Sequence, residues 1–298
     1  MQNTKTEPKH LVCADKTLDL TSPAIMAVLN ITPDSFSDGG QLFTDSKIDQ
    51  DKILRSVECM IDNGADIIDL GGESTRPGAE PVSVQQELDR VIPVLENLSK
   101  RFDSIFSVDT STPEVMREAE AAGAHMINDV RALRRNGALD AALDAGLPVC
   151  LMHMQNEPKS MQDSPSYKDV VSEVINFLTQ CKLKCTAVGI PDHQILLDPG
   201  FGFGKTLDHN LDLFAGLSQL AQLNHPIIVG LSRKSMIGQI LDAEVNDRLI
   251  GSVTMALLAA QSIYNADGSA ILRVHDVKET KQALDIWQAT KNKVLKNQ

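Results

Sequence analysis

Residues 105–129 read IFSVDTSTPEVMREAEAAGAHMIND, and the order of residue types along this stretch decides the fold. An apolar run, Ile105 to Val108, ends on Asp109. Thr112 then stands ahead of Pro113, with Glu114 in the first turn, which is how a helix over Pro113 to Ala122 would be opened. A second apolar run, Met126 to Asn128, closes the unit. Strand, polar loop, amphipathic helix and strand in succession imply two parallel strands joined by a right-handed crossover.

The same unit recurs in both directions from this stretch. Short apolar runs closed by turn residues predict strands over Ile25 to Ile31, Asp66 to Leu70, Ile105 to Val108, Met126 to Asn128, Pro148 to His153, Ile195 to Asp198, Ile227 to Leu231 and Ile271 to His275. Helical patterns lie between them, among them Ser83 to Lys100, Tyr167 to Ala187, Leu207 to Leu223 and Arg248 to Tyr264. Ser83 with Gln86 three residues on is a capping box. An open doubly wound sheet usually stops at about five or six strands, whereas eight units can close. The expected fold is therefore a single-domain parallel (β/α)8 TIM barrel over residues 25–298. Residues 1–24 form an extension in which Leu18 and Leu20 alternate as in a hairpin that caps the barrel floor.

Length and charge agree with that reading. A chain of 298 residues is close to the roughly 250 that one such barrel takes. With 28 Lys and Arg against 40 Asp and Glu, the formal charge of −12 argues against a surface that tracks nucleic acid, but leaves room for a local anion site. No apolar run approaches the roughly 18 residues of a membrane span, and Met1 to His10 is polar, so the expectation is a cytoplasmic protein without a membrane partner. Cys150 sits in a strand-like apolar run, and five cysteines fit reduced, structural thiols. Cys181 and Cys185 at i, i+4 lack the companion cluster that zinc requires.

In a parallel barrel the carboxyl ends of the strands share one mouth, so the residues there are the candidate site. The first strand ends at Asn30 and the second at Asp69, each running into a long loop with glycines, and the third ends at Asp109. The fourth gives Asn128 and Asp129, the fifth His153, the sixth Asp198, the seventh Ser232 to Ser235 and the eighth Arg273 and His275. A single Asp or Asn after a strand is ordinarily a turn former. Asp109, Asn128 and Asp198 together with Lys234 read instead as a recognition set for a flat heterocycle with adjacent N–H donors and a carbonyl, because carboxylates accept, an amide does both and lysine donates. Arg273 and His275 alternate along the last strand, and a guanidinium fork beside an imidazole suits a phosphate. The simpler alternative for Arg273 is an ion pair with Asp276 or a helix end. Asn30 offers an oxygen to a hard cation such as Mg²⁺, which commonly takes few protein ligands besides phosphate oxygens. The helix opening at Ser232 to Ser235 would receive a carboxylate.

Two features are set aside. Gly200, Gly202, Gly204, Lys205 and Thr206 resemble a phosphate-cradling loop, but the spacing is one residue short of the P-loop, so the glycines are read as letting Phe201 and Phe203 line the mouth. His153 between Met152 and Met154 is read as a packed strand-end histidine in preference to a ligand or base.

The sequence resembles the dihydropteroate synthases, folate-pathway enzymes that join a pterin-methyl diphosphate to p-aminobenzoate. The resemblance is carried by Asn30-ITPDSFSDG-Gly40, Gly71-GESTRP-Gly78, Ser107-VD-Thr110, Ile127-N-Asp129, Leu151-MH-Met154, Asp198-PGFGF-Gly204, Ser232-RK-Ser235 and Arg273-VH-Asp276, in the family's order from first strand to last. It implies that Asp109, Asn128, Asp198 and Lys234 hold the pterin and that Asn30, Thr75, Arg273 and His275 hold the diphosphate, with Mg²⁺ beside Asn30. It gives Phe36, Thr75, Arg76, Pro77, Phe203 and Ser235 to a p-aminobenzoate pocket formed when the two loops close. It makes Asp38, Arg76, Lys234, Arg273 and His275 the candidates for the chemistry, with Asp38 facing the developing positive charge. It also implies a homodimer built from late helices. Pterin-dependent methyltransferases would share the Asp and Asn contacts but need neither Arg273 nor His275, and a silent pterin-binding paralogue should lack a loop residue. Gln261 to Ser269 is longer than the usual connection into the last strand, and Met1 to His10 lies outside the resemblance.

Overall fold

The computed structural model describes residues 9–32, 43–44, 47–74, 82–156, 161 and 164–296. In chain order the strands are β1 (His10–Cys13), β2 (Lys16–Asp19), β3 (Ala24–Asn30), β4 (Phe43–Thr44), β5 (Lys47–Ile48), β6 (Ile67–Gly71), β7 (Ile105–Asp109), β8 (Met126–Asp129), β9 (Val149–Met152), β10 (Ile195–Asp198), β11 (Ile227–Val229) and β12 (Ala270–Val274). The α-helices are α1 (Gln50–Asp62), α2 (Val84–Arg101), α3 (Pro113–Ala121), α4 (Ala138–Ala145), α5 (Val170–Val188), α6 (Leu207–Ala215), α7 (Leu217–Ala221), α8 (Ser235–Leu241), α9 (Leu249–Asn265) and α10 (Val277–Lys296). Eight parallel strands close in the order β3, β6, β7, β8, β9, β10, β11, β12 and back to β3, which is the expected (β/α)8 barrel.

Strand alternation sorts the side chains into two cores. Outward residues such as Ile25, Ala27, Leu29, Ile68, Phe106, Val108 and Leu197 pack under the helices. Inward residues Met26, Ile67, Ile105, Met126, Cys150, Leu196, Ile228 and Ile271 form an apolar layer at the amino ends of the strands. The β1–β2 hairpin closes this layer from below with Leu11, Cys13, Leu18 and Leu20. The segment before the last strand lies at the same end. Tyr264 donates its hydroxyl to Leu20 O at 2.8 Å, and Lys9 donates to the carbonyls of Asp267 and Gly268.

The helices differ from expectation where a local contact outcompetes the pattern. Ser83 and Gln86 make the expected capping box on α2. Thr112 occupies the N-cap position of α3, but its hydroxyl donates to Glu87 Oε2 at 2.6 Å and so does not cap the helix. Asp169 accepts from Val171 N and Ser172 N, which starts α5 at Val170, not Tyr167. The single helix expected over Leu207 to Leu223 is two, broken at Gly216, where a Cβ would stand 2.6 Å from Val171 Cγ2. All five cysteines are free thiols. Among the described residues, no helix is long and apolar enough to cross a membrane.

Candidate active site

Above the apolar floor the inward-facing residues change character. The period of two that points Met26, Ile67, Ile105, Met126, Leu196 and Ile271 inward also points Val28, Asp69, Ser107, Asn128, Asp198 and Arg273 inward one step higher, and Asn30, Gly71 and Asp109 higher still. A polar layer therefore rests on an apolar one, at the carboxyl ends of the strands.

The guanidinium of Arg273 organises this layer. Its Nε donates to Asp69 Oδ2 at 2.7 Å, and its Nη2 donates to Asp109 Oδ2 at 2.9 Å. Asn128 Nδ2 donates to the same Asp69 oxygen at 3.1 Å. The Asn30 and Asp109 side chains flank Gly71: Asn30 Oδ1 and Asp109 Oδ2 lie 3.7 and 4.0 Å from where a Cβ on that glycine would stand. Lys234 Nζ and Arg273 Cβ meet in the same way over Gly230, at 3.8 and 3.9 Å. Lys234 donates to Phe201 O and lies 4.6 Å from the centre of the Phe203 ring. Asp198 accepts from Gly200 N at 2.7 Å. Asn30, Asp109, Asn128, Asp198, Lys234, Arg273 and Phe203 thus share one mouth.

Burial and neighbouring charge act against each other here. Burial pushes the Asp198 carboxyl up, opposed chiefly by Lys234 and the Gly200 N–H. Burial also raises Asp109, against the pull of Arg273. The Lys234 ammonium is pushed down by burial to about 8, and Asp198 limits the fall. Arg273 is held above its ordinary range, because Asp69 and Asp109 outweigh the cost of burying its charge. Asp69 Oδ1 and Ser107 Oγ, opposite each other on β6 and β7, are buried polar atoms with no hydrogen-bond partner among the described residues.

His275 lies just beyond β12. Its backbone N–H donates to Ser232 Oγ at 3.2 Å, and its Nδ1 lies 3.0 Å from the same oxygen. It borders a groove of about 590 Å³ shared with Lys52, Arg55 and Lys278. Ser235 opens α8 and lines a separate pocket of about 360 Å³ with Thr206, Asn210 and Gln239. The ion pair of Arg273 with Asp276 does not form, because Arg233 takes Asp276 through Nε at 3.1 Å. Phe36, Asp38, Thr75, Arg76 and Pro77 lie outside the described residues.

The glycine loop after β10 holds no phosphate cradle. Lys205 is buried, donates to Gly200 O and Phe203 O at 2.8 and 3.1 Å and lies 2.9 Å from His153 Nδ1, so it pins the loop's own backbone. Phe201 does not line the mouth as expected. It is fully buried in the outer core against Phe214, and only Phe203 reaches the site. His153 is a packed histidine, edge-on to Phe177, and burial followed by Lys205 holds its imidazole down at about 2.

Sequence reasoning gave Asp69 no role, although it joins Arg273 to Asn128. The available signal was its inward phase in β6, two residues before Gly71. Glu73 and Arg131 were missed as well, and their pairing is visible only in three dimensions.

Three comparisons bear on this site. Residues 26–275 match the family model for pterin-binding enzymes. The chain is 52% identical over 273 residues to the dihydropteroate synthase of Escherichia coli K12, covering 92% of this chain and 93% of that protein. It is 50% identical over 282 residues to that of Haemophilus influenzae, covering 95% and 99%. Among solved structures it resembles Yersinia pestis dihydropteroate synthase in a sulfonamide drug complex, with a TM-score of 0.90 and 51% identity over 95% of this chain and all of that one. It also resembles the Xanthomonas albilineans enzyme in complex with 7,8-dihydropteroate, with a TM-score of 0.82 and 44% identity over 95% and 99%.

Proposed function

Since this chain belongs to the pterin-binding enzyme family, and within it to the dihydropteroate synthases, we propose that its polar layer and its two flanks divide the substrates between them. The reaction is the transfer of the pterin-methyl group of 6-hydroxymethyl-7,8-dihydropterin diphosphate to the amine of p-aminobenzoate, with release of diphosphate. In this reading Asp109, Asn128, Asp198 and Lys234 hold the pterin edge, where two acceptors, an amide and a donor match its ring N–H, amine and carbonyl groups. Arg273 and His275 take the diphosphate with Asn30 and Thr75. Phe36, Thr75, Arg76, Pro77, Phe203 and Ser235 frame the aryl amine. The observation that carries the reading is the convergence of Asp109, Asn128, Lys234 and Arg273 on one buried polar layer.

The carbon–oxygen bond to diphosphate breaks first, leaving a cation delocalised into the pterin. The amine nitrogen then forms the carbon–nitrogen bond and sheds a proton. No covalent intermediate with the protein is needed, so the residues act by placement and charge: Arg273 and His275 on the leaving group, Asp109, Asp198 and Asp38 on the ring cation, and Arg76 in loop closure over both. Asn30 would hold Mg²⁺ through its amide oxygen, a hard donor of the kind this ion takes, beside the anion site. Such an ion would neutralise leaving-group charge. A homodimer is supported by the exposed apolar side chains Ile240, Leu241, Ile250 and Leu258 on α8 and α9. A cytoplasmic setting is supported by five free thiols, and the acidic balance favours small-molecule partners over nucleic acid.

The test is to mix protein, Mg²⁺, the pterin diphosphate and p-aminobenzoate and to follow diphosphate and dihydropteroate together. One diphosphate released per dihydropteroate formed is expected. Pterin binding without diphosphate release would reject the reading.

A further inference from the structure

We propose that Arg131 is a positioning residue for the p-aminobenzoate half of the reaction, setting the root of the second glycine-bearing loop through Glu73. The proposal rests on the reading above that this loop carries part of the amine pocket, at Thr75, Arg76 and Pro77.

Gly72 and Glu73 stand just ahead of Ser74, the last described residue before the rest of that loop, and they are gripped from three sides. Gly72 lies so close to α2 that a Cβ would stand 2.7 Å from Val91 Cγ2 and 3.2 Å from Glu87 Cγ. Arg90, one turn along that helix, donates through Nη1 to Gly72 O at 2.9 Å. Arg131 takes the Glu73 carboxylate with both arms of its fork, Nη1 to Oε2 at 3.0 Å and Nη2 to Oε1 at 3.1 Å, and Arg135 lies 3.7 Å from Oε1.

The Arg131 fork is itself fixed from behind. Its Nη1 also donates to Ser111 Oγ at 3.0 Å, and Ser111 donates to Asp129 Oδ1. Asp129 accepts from Arg131 N at 2.8 Å and Leu133 N at 2.7 Å. Those bonds hold Ala132 and Leu133 in succession at φ +52° and +57°, a conformation that side chains resist. Arg131 is 6% exposed. A buried ion pair gives little net stability over apolar residues of similar volume, whereas a bidentate fork fixes direction as well as distance. The geometry therefore suits fixing Glu73 at the root of the loop more than holding the fold together. None of Glu73, Arg90 and Arg131 belongs to the pterin or diphosphate sets, so a fault in the clamp should appear on one substrate alone.

Arg131→Lys keeps the charge and removes the fork. It should raise the KM for p-aminobenzoate about tenfold or more, since small misplacements are costly, while calorimetric affinity for the pterin diphosphate alone stays within about twofold. Arg90→Ala removes only the donor to Gly72 O. It should show the same split on a smaller scale and serves if Arg131→Lys does not fold. An unchanged amine KM in the folded variants, or equal losses for both substrates, overturns the clamp. Arg76→Ala separates the two readings. If it raises the amine KM while the clamp variants do not, the clamp alone is wrong. If it leaves that KM unchanged, the amine-pocket assignment fails and takes the clamp with it.

Discussion

Arg273 carries two duties that pull in different directions. It donates to Asp69 Oδ2 and Asp109 Oδ2, yet the proposed reaction needs its charge on diphosphate. Arg273→Ala should lower kcat by about 10² to 10³, the usual effect of removing one preorganised charge, and weaken diphosphate inhibition in parallel. A loss confined to p-aminobenzoate binding would contradict the anion assignment. Lys234 supplies a pH test. Its folded value, about 8, lies below the ordinary 10.5, so as pH rises from 8 to 10.5 the folded protein has released a proton that the unfolded chain still holds. Over that range this group makes the unliganded protein more stable while the pterin loses a cationic donor. Titrations should therefore show pterin affinity falling above about pH 8 as this contribution to stability rises, and Lys234→Gln should flatten both trends. Most of these residues were legible because a strand end announces itself in sequence. The role of Asp69 was not, because its partner lies 204 residues away.

Among the elements, the turn after β10 shows how far local chemistry reaches. Its glycines were legible as a loop, but their purpose was not. Gly200, Gly202 and Gly204 all have positive φ, and Lys205 folds back to bond the turn's own carbonyls. Gly200→Ala would place a methyl 1.8 Å from His153 O at φ +67°, so it should cost more than about 3 kcal/mol in urea unfolding, combining backbone strain with a clash against main chain. The same variant should weaken pterin binding, because this turn presents Phe201 O to Lys234 and Phe203 beneath it. Stability close to that of the parent would show that the turn can relax and that its glycines are not required. The capping box at Ser83 was readable because both its partners are three residues apart. Thr112 was misread because a buried glutamate on α2 competes for its hydroxyl.

Across the whole molecule, stability and chemistry occupy opposite ends of one barrel. The floor is an apolar layer plugged by the β1–β2 hairpin, and Tyr264 and Lys9 tie the last connection to that end. Leu18→Ala, at a buried floor position, should cost about 2–5 kcal/mol in denaturant unfolding and leave kcat and both KM values unchanged at temperatures where the variant is folded. A kinetic change without a loss of stability would mean that the floor is coupled to the mouth. The hairpin was legible from the alternation of Leu18 and Leu20, and the closure of eight strands from their number. The order in which the side chains pair across the axis was not.

The sequence by itself determined the eight-unit barrel, its plugged floor and which residues stand at its mouth, because periodicity, caps and turn chemistry act between residues a few positions apart. Only the tertiary structure decided that Arg273 bridges Asp69 and Asp109, that Phe201 turns into the outer core, and that Arg131 grips Glu73. Those outcomes depend on charges and volumes brought together by the closing of the sheet. The partner that best offsets a buried charge is fixed by distance across the barrel, and separation along the chain carries no information about it.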